Sequence, residues 1–191
     1  NTLKYYVAIA VPVEELCDRM VMAGFEVEDI EKQGDEIKNV VAAKILKITP
    51  HENSDHLQIC SMDTGAGEPV QIVTGAQNIH EGDYVPAALD NSYLPGGVHI
   101  VSGKLRGVES NGMLCSGKEL GLTESDYEGA EVNGILILKG EPAPGTDIRK
   151  VIGLDDYIID FKITANRPDC NCFLGVAKEI SVVLGTKFTA P

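Results

Sequence analysis

Val40-Val41-Ala42-Ala43-Lys44-Ile45-Leu46-Lys47-Ile48 decides how this chain is read. The run is β-branched and apolar, holds no Gly or Pro, and predicts a long strand. Shorter runs follow it. His56–Asp63 alternates and is expected to be a strand, as are Val70–Thr74, Tyr84–Leu89 and Gly134–Leu138. Leu94-Pro95-Gly96-Gly97 is expected to be a turn. Short strands with turn signals about every 10 residues predict a small barrel or sandwich over residues 39–150. The dense glycines of this stretch suit tight barrel corners.

The flanks read differently. Between Pro12 and Gly24, apolar residues at 13, 16, 17, 20 and 21 form one helical face. Phe25, Val27 and Ile30 follow among acidic residues and predict a strand with one wet face, broken at Gly34-Asp35. At the other end, Tyr157–Ile163 predicts a strand. Asn166-Arg167-Pro168-Asp169 predicts a turn able to cap the helix Phe173–Gly185. Neither end can bury its apolar face alone. The expectation is therefore an α+β chain, in which residues 1–38 and 151–191 form one small discontinuous domain. Residues 39–150 are then an insertion whose ends lie close together.

Composition narrows the function. The 191 residues carry 16 Lys and Arg against 29 Asp and Glu, a net charge of −13. A generic polyanion binder needs clustered cations, so this balance excludes one. No apolar run approaches the ~20 residues of a transmembrane helix, and no signal peptide is visible. The chain opens on Asn1 rather than Met and is expected to be a piece of a longer protein. Five cysteines, Cys17, Cys60, Cys115, Cys170 and Cys172, are an odd and scattered set rather than a disulfide framework, and are expected to be reduced thiols of a cytoplasmic protein.

Three groups of residues bear on chemistry. His51-Glu52-Asn53-Ser54-Asp55-His56 could offer His51, Asp55 and His56 to a metal, but the spacing does not put both histidines on one helix face. The competing reading is a polar turn whose Ser and Asp bond their own backbone. Ser110, Ser116, His80, His99 and Asp83 supply triad residue types without a nucleophile elbow, as any chain of this length does by chance. Gly103-Lys104-Leu105-Arg106-Gly107-Val108-Glu109-Ser110-Asn111-Gly112-Met113-Leu114-Cys115-Ser116 is the most informative stretch. Its alternating cations would point the same way from a strand. Ser110 and Asn111 offer donors beside glycines that admit a close backbone. A phosphate-contacting ridge and a strand edge guarded by charge are both consistent with it. No phosphate loop and no dinucleotide fingerprint is present, so neither a catalytic residue nor a metal ligand is assigned.

Three of these stretches resemble the OB-fold tRNA-binding domains of some aminoacyl-tRNA synthetases. His51-Glu52-Asn53-Ser54-Asp55-His56-Leu57 is similar to their His-Pro-Asn-Ala-Asp-Lys-Leu. Ile72-Val73-Thr74-Gly75-Ala76-Gln77-Asn78-Ile79 is similar to their Ile-Val-Cys-Gly-Ala-x-Asn-Val. The Gly103–Ser116 stretch is similar to their Lys-Leu-Arg-Gly-Val-x-Ser-x-Gly-Met-x-Cys-Ser. His56 stands where that family carries Lys, and Thr74 where it carries Cys. The flanks, Glu14-Glu15-Leu16 through Ala23–Glu28 and Ile163-Thr164-Ala165-Asn166-Arg167-Pro168-Asp169-Cys170, resemble the start of the bacterial phenylalanyl-tRNA synthetase β subunit.

The resemblance implies a five-stranded Greek-key OB barrel with additions, inserted into a split first domain. For the parent it implies ATP- and magnesium-dependent charging of tRNA with phenylalanine, in the cytoplasm, by two α and two β subunits. In that family aminoacylation lies on the α subunit, so this piece is expected to catalyse nothing and to hold no cofactor itself. Its partners would be tRNA and the α subunit. The RNA-binding candidates are Lys44, Lys47, His51, His56, Lys104, Arg106, Ser110, Asn111, Ser116 and Lys118. The alternative role is a docking module with negligible RNA affinity, because residues 39–150 hold eight Lys and Arg against 15 Asp and Glu, a balance of −7.

Overall fold

The computed structural model describes residues 2–190. Asn1 and Pro191, the outer limits of the two expected flanks, lie outside the described residues. In chain order the elements are α1 (Val13–Met22), β1 (Glu26–Lys32), β2 (Lys38–Pro50), β3 (Gln58–Asp63), β4 (Val70–Thr74) and β5 (Tyr84–Leu94). There follow β6 (Val98–Ile100), β7 (Gly103–Leu105), β8 (Val108–Ser110), β9 (Gly112–Leu114), α2 (Ile148–Ile152), β10 (Tyr157–Lys162) and α3 (Phe173–Leu184). They divide into two compact units, Gly34–Asp155 and Asn1–Gln33 with Asp156–Pro191.

In the unit Gly34–Asp155 every strand pairing is antiparallel, and β4, β3, β2, β5 and β9 are neighbours in that order. β4 meets the junction of β8 and β9 across a seam. The Asn111 N–H donates to Gln71 O at 2.9 Å and the Val73 N–H to Ser110 Oγ at 3.0 Å. The sheet is therefore a nearly closed five-stranded barrel of OB-fold type. The unbroken apolar run in β2 has a simple cause. Ala43 and Ile45 face the barrel interior with Cys60, Met62, Ile72, Val85 and Leu114. Val40 and Ala42 face a second layer made by Leu120, Leu136, Leu138, Ile148 and Ile152. A strand buried on both faces has no polar side to alternate with.

Gly134–Leu138 is not a strand. It buries Leu136 and Leu138, but its hydrogen bonds go to three separate segments. The Leu136 N–H donates to Cys115 O, the Leu138 N–H to Tyr84 O, and Ile135 exchanges two bonds with the Asn78 amide. Partners so scattered satisfy the backbone without making a ladder.

In the other unit, β1 and β10 form an antiparallel ribbon from Glu26↔Lys162 to Lys32↔Tyr157. Only Val27 of β1 is even half-buried, so both faces of that strand are wet rather than one. The core joins Leu16 and Met20 of α1, Phe25, Cys170, and Ala177 and Ile180 of α3. Phe25 meets Phe161 edge-on, with ring centroids 6.0 Å apart. The expected Asn166–Asp169 cap does not form: Cys172 precedes α3 and accepts no bond from the helix's first N–H groups, its Sγ donating instead to Asp169 O at 3.4 Å. The turn instead holds Arg167 over Phe25, paired to Asp169 at 3.1 Å and Glu179 at 2.6 Å. α3 ends at Gly185 in the left-handed conformation, as predicted. The ribbon closes where the Gln33 N–H donates to Asp156 O at 2.9 Å. Within the barrel unit, Gly34 lies against Leu154: a Cβ there would sit 3.1 Å from that side chain.

No helix among the described residues is long and apolar enough to cross a membrane. Cys17, Cys60, Cys115 and Cys170 are buried and Cys172 is exposed. Burial pushes the Cys60 thiol up to about 11 and the Cys115 thiol up to about 12. A thiol titration of native protein at pH 8 is expected to label Cys172 within minutes and the other four only on unfolding. Fast labelling of a second thiol would contradict the packing of the core that holds it.

Candidate nucleic-acid interface

OB barrels take oligonucleotides across their second and third strands and the loops joining strands one to two and four to five. In this barrel those strands are β3 and β4, and the loops are residues 51–57 and 95–111. The structure ties the two loops together. His51 is 3% exposed. Its Nδ1 accepts from the Asn53 N–H at 3.0 Å, so its Nε2 carries the hydrogen and donates to Leu105 O at 3.2 Å. Arg106 Nη1 donates to Asn53 O at 3.3 Å. His51 is thus a structural pin between the loops, and both ring nitrogens are spent on backbone.

Lys104 and Arg106 do not share a strand. β7 and β8 are a hairpin, with Arg106 at φ 47° and Gly107 at φ 90° as its two turn residues. Lys104 lies on β7, its Nζ 3.7 Å from Glu109 Oε1, while Arg106 caps the tip beside the 51–57 loop. Alternation alone could not reveal this, because a non-glycine residue at positive φ is uncommon.

The remaining candidates are dispersed. Ser110 is buried and accepts from the Val73 N–H while donating to Gly112 O at 2.9 Å, which makes it part of the barrel seam. Asn111 is exposed and gives its backbone N–H to the same seam. Lys44 is half-buried with its ammonium 5.1 Å from the Tyr84 ring centre. Lys47 is exposed further along β2. His56 is exposed on the 51–57 loop. Ser116 exchanges hydrogen bonds with Glu119, its Oγ 2.8 Å from Oε2, and stabilises the turn that carries exposed Lys118. The triad residue types are not assembled: His80 faces Asp83 at 3.6 Å, and both serines are engaged as just described. Among the described residues no cluster of three His, Cys, Asp or Glu could hold a metal ion.

Between the 51–57 loop and β3 lies a cavity of about 450 Å³, floored by Ile48, Pro50 and Leu57 and edged by Ser54, Gln58 and Gln77. The Gln77 amide donates to the His56 and Gly75 carbonyls at 3.1 and 3.3 Å, so its oxygen faces Gln58 Nε2 at 3.1 Å. Sequence reading singled out neither glutamine. Their pairing depends on β3 and β4 lying side by side, which no local pattern reveals. His99 reads in the sequence only as a chance triad residue type and Tyr93 carries no signal; their rings stack across β5 and β6.

The family profile described as "Putative tRNA binding domain" matches residues 40–147. The chain is 51% identical over 97% of its length to the phenylalanine–tRNA ligase beta subunit of Clostridium acetobutylicum. It is 49% identical over 99% to that of Clostridium tetani and 45% identical over 99% to that of Anaeromyxobacter dehalogenans. It spans 23% of the length of each of these relatives.

Proposed function

The chain belongs to the tRNA-binding-domain family, and from that premise we propose that it is the accessory N-terminal region of a phenylalanine–tRNA ligase β subunit. Identity of about half over nearly the whole chain to three such subunits supports this reading. The parent charges tRNA with phenylalanine using ATP and magnesium, in the cytoplasm, as an assembly of two α and two β subunits. The barrel unit, Gly34–Asp155, interrupts the other unit, Asn1–Gln33 with Asp156–Pro191, in chain order, which supports reading the barrel as an insertion in a discontinuous domain. The chemistry lies outside these residues, and no step of it is routed through them. Their part is to hold tRNA.

The observation that carries this reading is the junction of the two OB loops through His51, Leu105, Asn53 and Arg106. It fixes a groove edge on the face where OB barrels take oligonucleotides, with Lys104 and Arg106 presented by one hairpin. The other named candidates contribute unequally. Lys47, His56, Asn111 and Lys118 are exposed and available to RNA, and Lys44 reaches the surface from beside Tyr84. His51, Ser110 and Ser116 act by holding the loops, the seam and a turn.

Few cations on an acidic domain limit phosphate contact. A titration of tRNA by fluorescence anisotropy between ~50 and ~200 mM salt is expected to lose affinity by about tenfold, the behaviour of roughly two phosphate contacts. The double variant Lys104→Glu/Arg106→Glu is expected to bind about tenfold more weakly and to lose most of that salt dependence. Unchanged affinity in the double variant would remove the hairpin from the interface. The domain's balance of −7 favours one second reading, a docking module without affinity of its own. Absence of binding at ~50 mM salt would select it.

A further inference from the structure

We propose that Tyr93 and His99 form a stacking platform for one unstacked nucleobase of bound RNA, an inference that rests on the tRNA-binding reading above. The two residues are cross-strand partners on β5 and β6. Their rings lie face to face, 4.5 Å between centroids and 7° from parallel. Both are exposed, Tyr93 at 39%. An edge-on pair would bury one flat face against an edge. A parallel pair keeps its outer faces flat and parallel, the shape a third ring extends.

The platform is held before any ligand arrives. His99 Nε2 donates to Asn91 Oδ1 at 2.8 Å, which fixes its ring plane. The Asn39 side-chain amide donates to Asp90 O at 2.8 Å, and the Ser102 N–H to Asp90 Oδ1 at 2.5 Å. These bonds lock a bulge where the β2–β5 register shifts between Lys38 and Val40. Asn39 and Asn91 sit there at φ 57° and 59°. Bulges re-aim side chains, and left-handed non-glycine residues persist only where surrounding structure fixes them. The product of this one is an exposed aromatic pair at the root of the 95–111 loop. Lys38, opposite Tyr93 on β2 and exposed, is placed to meet the phosphate of the stacked nucleotide.

The charge balance gives the platform its importance. A domain that repels phosphate at long range must draw affinity from contacts that do not depend on charge, and stacking of a base on an aromatic ring is one of these.

The chain contains no Trp, so Tyr93→Trp introduces a single indole as reporter. In the full 191-residue chain, tRNA is expected to quench that indole with the midpoint seen by anisotropy. Tyr93→Ala and His99→Ala are each expected to weaken binding roughly 5- to 100-fold at unchanged thermal midpoint, while Tyr93→Phe stays within about twofold. Wild-type affinity in Tyr93→Ala, with no quenching of the indole, overturns the platform and leaves the tRNA-binding reading standing. No binding of tRNA by the unsubstituted chain overturns both.

Discussion

Gly112→Ala is expected to lower the melting temperature of the barrel unit by roughly 10 °C, the effect of about 3 kcal/mol on a unit of this size. Gly112 opens β9 at φ 149°, a conformation that side chains rarely adopt. A Cβ there would lie 2.3 Å from Ala88 O and 3.3 Å from Leu89 Cα, both backbone atoms of β5 that cannot step aside. Gly112 also pairs with Leu89, and its carbonyl accepts from Ser110 Oγ. Pushing β9 away therefore strains the β5 ladder and the Ser110 bond to Val73 that closes the barrel. Differential scanning calorimetry reads the effect directly. A midpoint within 1 °C of the parent would mean that β9 does not approach β5 this closely.

Gly175→Ala is expected to destabilise the other unit by at least about 3 kcal/mol, against the sign of helix propensity. Exchanging Gly for Ala inside a helix ordinarily stabilises by about 1 kcal/mol. Gly175 lies in the first turn of α3, where a Cβ would sit 1.8 Å from Asp169 O and 3.0 Å from Cys170 Cα. The turn Pro168–Cys170 packs directly on the helix, and Arg167 just before it holds Asp169 and Glu179. Relieving the clash would separate α3 from that turn and open the core around Cys170, Ala177 and Phe25. Val182→Ala on the 76% exposed face of the same helix is expected to change stability by less than about 0.5 kcal/mol. A stabilised Gly175→Ala protein would contradict the contact between helix and turn.

The legible parts of this fold are those fixed by local pattern. The face of α1, the two-sided run of β2 and the glycine end of α3 follow from residues adjacent in sequence. Periodicity left barrel and sandwich both open over residues 39–150, and only the motif resemblance chose the OB barrel. The misreadings share one cause. Gly134–Leu138 looks like a strand because it is buried, but its partners are Asn78, Cys115 and Tyr84. Lys104 and Arg106 look collinear because alternation carries no sign of a left-handed residue. His51 and Ser110 look like surface donors because their partners, Leu105 and Val73, stand 54 and 37 residues away. Nothing in the sequence pairs Tyr93 with His99 for the same reason: β5 runs past Leu89 to Leu94, and only that extension brings the rings together.

The bond between Gln33 and Asp156 also orders the folding process. β1 and β10 must close a loop of roughly 120 residues if the intervening chain is unstructured, an entropic cost about 3 kcal/mol above that of a short hairpin. Once the barrel forms, Gly34 and Leu154 are already in contact, and the same closure is as easy as a tight turn. Loop-closure entropy therefore makes the barrel the scaffold expected to assemble first and to deliver the two strands of the ribbon to each other. A substitution that delays the barrel delays both units, whereas one confined to the ribbon leaves the barrel's own rate untouched.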